Sequence, residues 1–392
     1  MAIVLFDTER SKWLYPLTLN KAAASLRCGI FTIKERWEQL TGEKIFIHTF
    51  SYLKSLYENI PAGEHIWIDA SVLPDEVLLQ KILLLNNDEC ICDDDGLIAG
   101  KGFIPIEEFN SLSPESFFSN RIIHPSIKRL SRPWQIFQWN DEMIRKDFSF
   151  IQNKKRSQDI SSSNKITGAE NIFIDEGAAV EYAYINASGG PVYIGKNAVV
   201  MEGAMLRGPI AVCDNAVVKM GATIYGATTI GPHSTVGGEI KNSVISGYSN
   251  KGHHGYLGDS VIGEWCNLGA GTSNSNVKNT AGEIEVWSHA NNCFEKAGKK
   301  CGVIMGDYCF TAINTSINSG TVTGIGCNIF GEGFTPKHIS SFSWGFKMPQ
   351  VYEVSKLITH INNWKKMKSS EISSAEENVL RYIFEEMNAV GL

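Results

Sequence analysis

Residues 194–236 read "IGKNAVVMEGAMLRGPIAVCDNAVVKMGATIYGATTIGPHSTV", and this stretch decides the fold. Ile194, Val200, Leu206, Val212, Val218, Ile224, Ile230 and Val236 recur every six residues without a miss. Four residues after most of them stands a small side chain: Ala198, Ala204, Ala216, Ala222, Thr228 or Ser234. A fixed short period is the mark of a solenoid, and a six-residue step is that of a parallel β-helix. Each aliphatic residue points into the prism, and the small one sits at a corner where a large side chain would collide. Three such steps make one triangular coil of roughly eighteen residues. Gly195, Gly221 and Gly231 suit the turns. Ile174 and Val180 keep the same step upstream, and the phase resumes at Ile262 and Leu268 and more loosely at Ile304, Phe310 and Ile325.

Outward from this core the chain falls into sections. The first part alternates apolar runs of strand length, at 2–6, 44–50 and 65–70, with helical patterns at 21–40 and 74–87. That alternation predicts a wound, partly parallel sheet, with a ligand crevice beyond the carboxyl ends of its strands. It directs attention to Asp7 through Lys12 and to Asp69. Residues 153–165 are polar and aperiodic, and read as a linker. Residues 347–387 read as two amphipathic helices, the second starting within Ser370 to Glu376, that cap the solenoid end or contact a neighbouring subunit. The expected domains are 1–152, 166–335 and 336–392.

Composition excludes several classes. The 392 residues are 43% hydrophobic and 20% charged, as in a soluble globular protein of two or three domains. A net charge of −6 implies no basic face, so nucleic acid is not an expected partner. No apolar run reaches the ~18 residues of a membrane span, and "MAIVLFDTERSKW" has no charged segment ahead of its apolar run, so no signal peptide is read. Nine cysteines form no CxxC pair, which points to reduced thiols in the cytoplasm. Cys90 and Cys92 make a CxC beside three aspartates, and ordinary buried thiols are the expectation there.

Regular coils offer only aliphatic ladders, so chemistry is sought where the phase breaks. The two candidate breaks are Ser246–Tyr256, "SGYSNKGHHGY", and Ser273–Lys300. A loop histidine is most often just solvated. Here, however, Lys241, Lys251, His253, His254, Tyr256, Asn267 and Asn276 fall within one or two coils, and coils stack at ~5 Å. A base with cations and amides around it suits acyl transfer to the amine of an anionic sugar.

"GEIKNSVISGYSNKGHHGYLGDSVIGEWCNLGAGTSNSN", residues 238–276, resembles the acetyltransferase half of the bacterial bifunctional N-acetylglucosamine-1-phosphate uridyltransferase/glucosamine-1-phosphate acetyltransferase family. Its lysine, its His ahead of "YLGD" and its "IG…N-x-G-A-G-T…N" keep the family order without insertion. The resemblance implies a left-handed coil, a homotrimer with sites between subunits, and acetyl-CoA as donor. It implies His253 as catalytic base, and Tyr256 and Asn267 as sugar contacts. Lys241 falls at the sugar-phosphate position, Asn276 near the reacting amine, and Ala270 at the acetyl-CoA contact. The arginine expected upstream has no match where Thr223 stands, and Arg207 is the nearest by chemistry. His254 is assigned no role.

The front section, with "FDTERSKWLYPLTLNKAAASLRCGIFTIKERWEQLTG" (6–42), "IWIDASVLPDEVL" (66–78) and "WQIFQWNDEMIRKDF" (134–148), resembles the divergent sugar nucleotidyltransferase domain of two-domain proteins of the Bacteroidetes type. An ordinary uridyltransferase has a glycine-rich phosphate loop after its first strand, and here no glycine stands between Phe6 and Arg27. Arg10, Lys12, Lys21 and Arg27 are the candidate phosphate-binding cations, and Asp7 and Asp69 the candidate Mg2+ ligands. The leading expectation is an enzyme of amino-sugar nucleotide synthesis that acetylates an amino-sugar phosphate and transfers a nucleotide from UTP or dTTP. The alternatives are nucleotidyl transfer alone, with the β-helix as a trimerisation scaffold, or a non-catalytic sugar-nucleotide-binding protein.

Overall fold

The computed structural model describes residues 1–109 and 112–390. The chain forms two compact units, one of Met1–Leu14, Thr18–Leu26 and Phe31–Arg132, the other of Tyr15–Leu17, Arg27–Ile30 and Pro133–Leu392. Among the described residues no helix is long and apolar enough to cross a membrane.

The first unit is built on six strands: β1 (Ala2–Phe6), β2 (Ile45–His48), β3 (His65–Asp69), β4 (Glu89–Asp93), β5 (Gly96–Gly102) and β6 (Asn120–Ile123). Their order is β2-β1-β3-β5-β4-β6. The first three pair in parallel, β5 runs antiparallel to both its neighbours, and β6 pairs parallel to β4. β1 and β3 are continuous apolar runs because both faces of a central strand are covered. Cys90 and Cys92 are buried in β4 with their sulfurs 3.7 Å apart, on one face of the strand, as core thiols.

Helix α1 covers Ile33–Thr41 and α2 covers Glu76–Leu83. The helix expected over 21–40 is therefore confined to its second half. Thr32 and Glu35 form a reciprocal capping box that starts α1. Upstream of it, the amides of Gly29 and Ile30 donate to the side chains of Asn140 (2.7 Å) and Asp147 (2.8 Å), not to a helical ladder. Both acceptors lie on helix α3, Gln135–Lys154, which also donates from Asn140 Nδ2 to the Ala227 carbonyl at 2.8 Å. α3 thus packs on the solenoid. The first compact unit ends at Arg132, where the sequence reading sets its boundary at 152.

The second unit winds as the hexapeptide β-helix that the six-residue period predicts. Three sheets of parallel rungs form its faces. Face one stacks Lys165–Thr167, Tyr184–Asn186, Met205–Arg207, Thr223–Tyr225, Glu239–Lys241 and Tyr256–Gly258. Face two runs from Ile172–Ile174 to His338–Ile339. Face three runs from Ala179–Val180 to Ser343–Trp344, with Gln350–Val351 added antiparallel at its end. The eight aliphatic residues from Ile194 to Val236 are at most 2% exposed, and the six small corner residues are fully buried. Corner positions Asn197, Asn215 and His233 take the left-handed backbone conformation, which asparagine tolerates best among residues with a Cβ. Further along, that corner becomes a stack of aromatic rings, His233 on Tyr248 at 4.7 Å and Tyr248 on Trp265 at 4.3 Å.

The sequence reading of the phase needs two corrections. Residues 246–256 are not an inserted loop. The winding continues, with Ile245, Lys251 and Leu257 occupying successive inward positions above Ile230, Val236 and Ile240. The phase slips because the steps from Val236 to Ile240, from Ile240 to Ile245 and from Leu257 to Ile262 are shorter than six. Beyond the second break, the inward ladder is Met305, Thr311, Ile317, Thr323 and Ile329, not Ile304, Phe310 and Ile325. Two threonines, buried with their hydroxyls hydrogen-bonded, hide that ladder from a hydrophobic scan. The break at 273–300 does hold an insertion, an antiparallel hairpin of Ile284–Ser288 and Cys293–Gly298.

The polar segment 153–165 lies along the first coil, where the Gln158 amide donates to the Ile174 carbonyl at 2.8 Å. At the other end come α4, Val354–Lys366, and α5, Ser374–Val390. Ser373 and Glu376 form a reciprocal capping box at the start of α5, within the region where the sequence places that start. Glu376 also takes Lys365 at 2.5 Å and the Tyr308 hydroxyl at 3.2 Å, which ties both helices to the solenoid.

Candidate active site

On face one the middle residue of each rung points inward, and the flanking two point out. The register makes one outer column of Asn186, Arg207, Tyr225, Lys241 and Gly258, and another of Met205, Thr223, Glu239 and Tyr256. Adjacent rungs lie ~4.8 Å apart. Arg207, Tyr225 and Lys241 are therefore consecutive in one column. The Lys241 ammonium lies 5.7 Å from the centre of the Tyr225 ring. The Tyr225 hydroxyl donates to Glu239 at 2.6 Å, and that bond to a carboxylate, with some burial, pushes it up to about 12.

Gly258 ends the column for a reason. A Cβ there would lie 2.2 Å from the Tyr256 hydroxyl, so the Tyr256 ring occupies the space of the next side chain above Lys241. Burial, and then the Asp259 carboxylate, push that hydroxyl up to about 12, so it stays a phenol. It accepts from Asn276 Nδ2 at 3.1 Å, and the same nitrogen donates to Asp259. Asn242 Nδ2 donates to the other Asp259 oxygen at 2.6 Å. Asp259, only 3% exposed, is thus the hub that fixes Asn276 beside Tyr256. A groove of about 590 Å3 continues down this face past Arg207, Asn186, Thr167 and Lys165.

His253 and His254 are exposed at the corner where face three passes into face one. The corner is tight. A Cβ at Gly238 would lie 2.8 Å from the His253 carbonyl, and one at Gly255 would lie 2.1 Å from that of Thr272. Ala270 occupies the same corner one coil on, where the neighbouring Gly271 amide donates to the His254 carbonyl at 3.1 Å. Asn267 lies around the edge on face three, paired with Asn250. The structure so gathers Lys241, Tyr256, Asn276 and Arg207 on one face and His253 and Ala270 at its edge, with Asn267 on the far side of that edge.

Tyr225, Glu239 and Asp259 were missed in the sequence, and Lys251, counted in the cluster there, was given no role of its own. The first had a signal, since it follows Arg207 by one full eighteen-residue coil. Glu239 had another, two residues before Lys241 on the same outward side.

The first unit does not assemble a metal site from its expected residues. Asp7 is 2% exposed and accepts from Ser11 (2.8 Å), Thr49 (2.6 Å) and the Ala23 amide (3.0 Å). Burial pushes it up to about 6. Asp69 is 3% exposed, with one oxygen taken by Ser71 and the other by Arg129 at 3.2 Å. Arg129 also binds Asp93 at 2.9 Å. Every oxygen of Asp7 and Asp69 already accepts at least one protein donor, and both carboxylates are nearly sealed from solvent. Among the described residues no cluster of three or more metal-ligating side chains occurs.

The nucleotide-binding cations are not gathered either. Arg10 faces Asp95 at 3.7 Å, and Lys12 pairs with Glu9 at 2.5 Å. Lys21 is buried in the first unit, and Arg27 belongs to the second, where its guanidinium donates to the Ile30 carbonyl. A cavity of about 260 Å3 beyond β1 and β3 is lined by Arg10 but also by Glu9, Asp69, Asp95 and Glu115. That charge balance repels a bare triphosphate.

Residues 3–156 match the family model of the sugar nucleotidyl transferases. The chain is 27% identical over 234 residues to the bifunctional protein GlmU of Methanococcus vannielii, covering 57% of this chain and 47% of that one. It is 35% identical over 92 residues to a bifunctional sugar-1-phosphate nucleotidylyltransferase/acetyltransferase of Sulfurisphaera tokodaii, covering 24% and 23%. A solved UDP-N-acetylglucosamine acyltransferase from Campylobacter jejuni aligns with 58% of this chain and 96% of its own, at 16% identity and a TM-score of 0.37. The chain thus spans about half or less of the length of the curated relatives it matches.

Proposed function

From a chain that carries a sugar nucleotidyl transferase domain at residues 3–156 and continues into a hexapeptide β-helix, we propose an N-acetyltransferase of amino-sugar phosphates that uses acetyl-CoA. The observation that carries this reading is the column Arg207–Tyr225–Lys241 closed by the Tyr256 ring, beside the His253 corner. Two cations one rung apart from a shared tyrosine suit a sugar phosphate, which they hold as charges. Tyr256 and Asn276 present a phenol and an amide to the sugar, with Asn267 contributing from across the edge. A site divided over an edge in this way favours one completed by a second subunit, in a homotrimer.

In this reading the sugar amine attacks the thioester carbonyl of acetyl-CoA, and His253 accepts the amine proton. The carbonyl oxygen becomes an oxyanion beside the main-chain amides at Ala270. The C–S bond then breaks, and the departing thiolate takes the proton from His253. Products are the N-acetylated sugar phosphate and CoA.

The family match at 3–156 favours a second activity, transfer of a nucleotide from UTP or dTTP to the sugar 1-phosphate. Asp7 and Asp69, buried and bonded to protein donors, lend little support to the Mg2+ such chemistry uses, so the acetyltransferase is the reading the geometry supports best.

The test is to incubate the full chain with acetyl-CoA, UTP or dTTP, Mg2+ and a panel of amino-sugar 1-phosphates, and to weigh the products. Acetylated sugar phosphate is expected. His253→Ala should lower its formation ~10²–10⁴-fold, the usual worth of a general base, with unchanged assembly mass. Undiminished acetylation by that variant would remove His253 from the base role. Nucleotide sugar without acetylation would favour a β-helix that serves as a trimerisation scaffold. Neither product, with no binding of acetyl-CoA or nucleotide, would favour a non-catalytic sugar-nucleotide-binding protein.

A further inference from the structure

We propose that Lys251 is a positioning residue for the acyl-transfer site, its ammonium folded into the solenoid interior to tie the main chain at His253 to the coil beneath. This inference rests on the reading of His253 as the base.

Lys251 occupies an inward position. Its register partner on the coil before is Val236, and the same inward column carries Val218 and Val200 below and Leu268 above. The side chain is 3% exposed. An aliphatic residue would continue the column, as one does on each neighbouring coil. A buried ammonium is costly unless its hydrogen bonds are met. Its neighbours explain its presence. Nζ donates to the carbonyl of His253 at 2.8 Å and to that of Gly237, on the coil before, at 3.1 Å. It forms no ion pair among the described residues, and burial lowers it to about 8. An amine keeps two N–H donors when it loses its proton, so both bonds can persist on either side of that value.

The reason such a tether matters lies in His253 itself. Its imidazole is exposed and has no hydrogen-bond partner among the described residues. A base in a Ser-His-Asp arrangement is oriented by a carboxylate on its far nitrogen. Among the described residues no such group holds the ring, so within this chain its main chain sets where it points. That main chain is clamped on two sides. Gly238 lets the His253 carbonyl approach within a distance that a Cβ would forbid, and the Lys251 ammonium holds the same carbonyl from inside. Loss of the ammonium would leave the corner crowded but untied.

Lys251→Met tests this, because methionine fills a similar volume without a donor. Two measurements are made on the full chain. In steady-state acetyl transfer, kcat should fall at least tenfold while KM for acetyl-CoA and for the sugar phosphate stays within twofold. In hydrogen exchange read by mass, amides of 250–257 should exchange at least tenfold faster, with the rest of the solenoid unchanged. A kcat equal to that of the wild type overturns the proposal. So does unaltered exchange at 250–257, or faster exchange along the whole solenoid, which marks a merely structural lysine. If the wild-type chain acetylates nothing, the reading of the site fails, and the exchange result still decides whether Lys251 ties the corner.

Discussion

At the scale of single residues, the buried Lys251 also links stability to pH. Its value in the folded chain, about 8, lies below the ~10.5 of a free lysine. Between those values the unfolded chain binds more protons than the folded one, so stability from this group rises with pH. Replacement of a buried charge by an apolar side chain of similar size is often neutral or stabilising. Lys251→Met should therefore be at least as stable as wild type at pH 7, and its advantage should shrink by pH 10 in urea titrations. A constant difference would place the lysine in contact with water. Tyr256→Phe removes the hydroxyl that accepts from Asn276. It should raise KM for the sugar phosphate several-fold and leave the fold intact, as judged by an unchanged urea midpoint. The matching lysine, histidine and tyrosine were all legible from motif order. Tyr225 and Asp259 were not, because the first earns its place from the rung above and the second from a carboxylate turned inward.

At the scale of elements, the first unit stands on an ionic knot that no local pattern announces. Arg129 joins Asp69, at the end of β3, to Asp93, at the end of β4, with all three side chains nearly sealed from solvent. Removal of one partner from a buried ion network leaves uncompensated charge and typically costs 3–5 kcal/mol. Arg129→Ala should lower the unfolding free energy of the first unit by roughly that amount, read as a lower denaturant midpoint. In the solenoid, Ala216 is fully buried at a corner. Ala216→Leu should cost ~1–3 kcal/mol through overpacking, read as a lower melting temperature. The same corner logic explains why small residues were visible in the sequence: the collision they avoid repeats at every coil. The helix expected over 21–40 failed in its first half because Asn140 and Asp147, more than a hundred residues away, claim its amides.

At the scale of the whole molecule, the terminal helices close the solenoid. Leu357 of α4 packs over Gly326, where a Cβ would meet it at 2.5 Å, and Lys365 lies 5.0 Å from the Trp265 ring. A chain cut before α4 should expose that end. Faster hydrogen exchange in the last coils, from 304 to 344, with early coils unaltered, is the expected outcome. By itself the sequence determined that there would be a β-helix and where its inward ladder begins, and it marked the motif proposed to carry the site. A six-residue period is local, and any reader of eight consecutive positions finds it. Only the tertiary structure decided which outward side chains meet. The steps along the site column are 18, 16 and 17 residues, from Arg207 to Tyr225, Lys241 and Gly258. Neighbours in a solenoid are set by hydrogen bonding between coils, and a coil shortened at one corner shifts every later partner. The tertiary structure likewise turned Lys251 inward and sealed Asp7 and Asp69. Whether a charge faces solvent or a carbonyl depends on what the next coil or strand places against it.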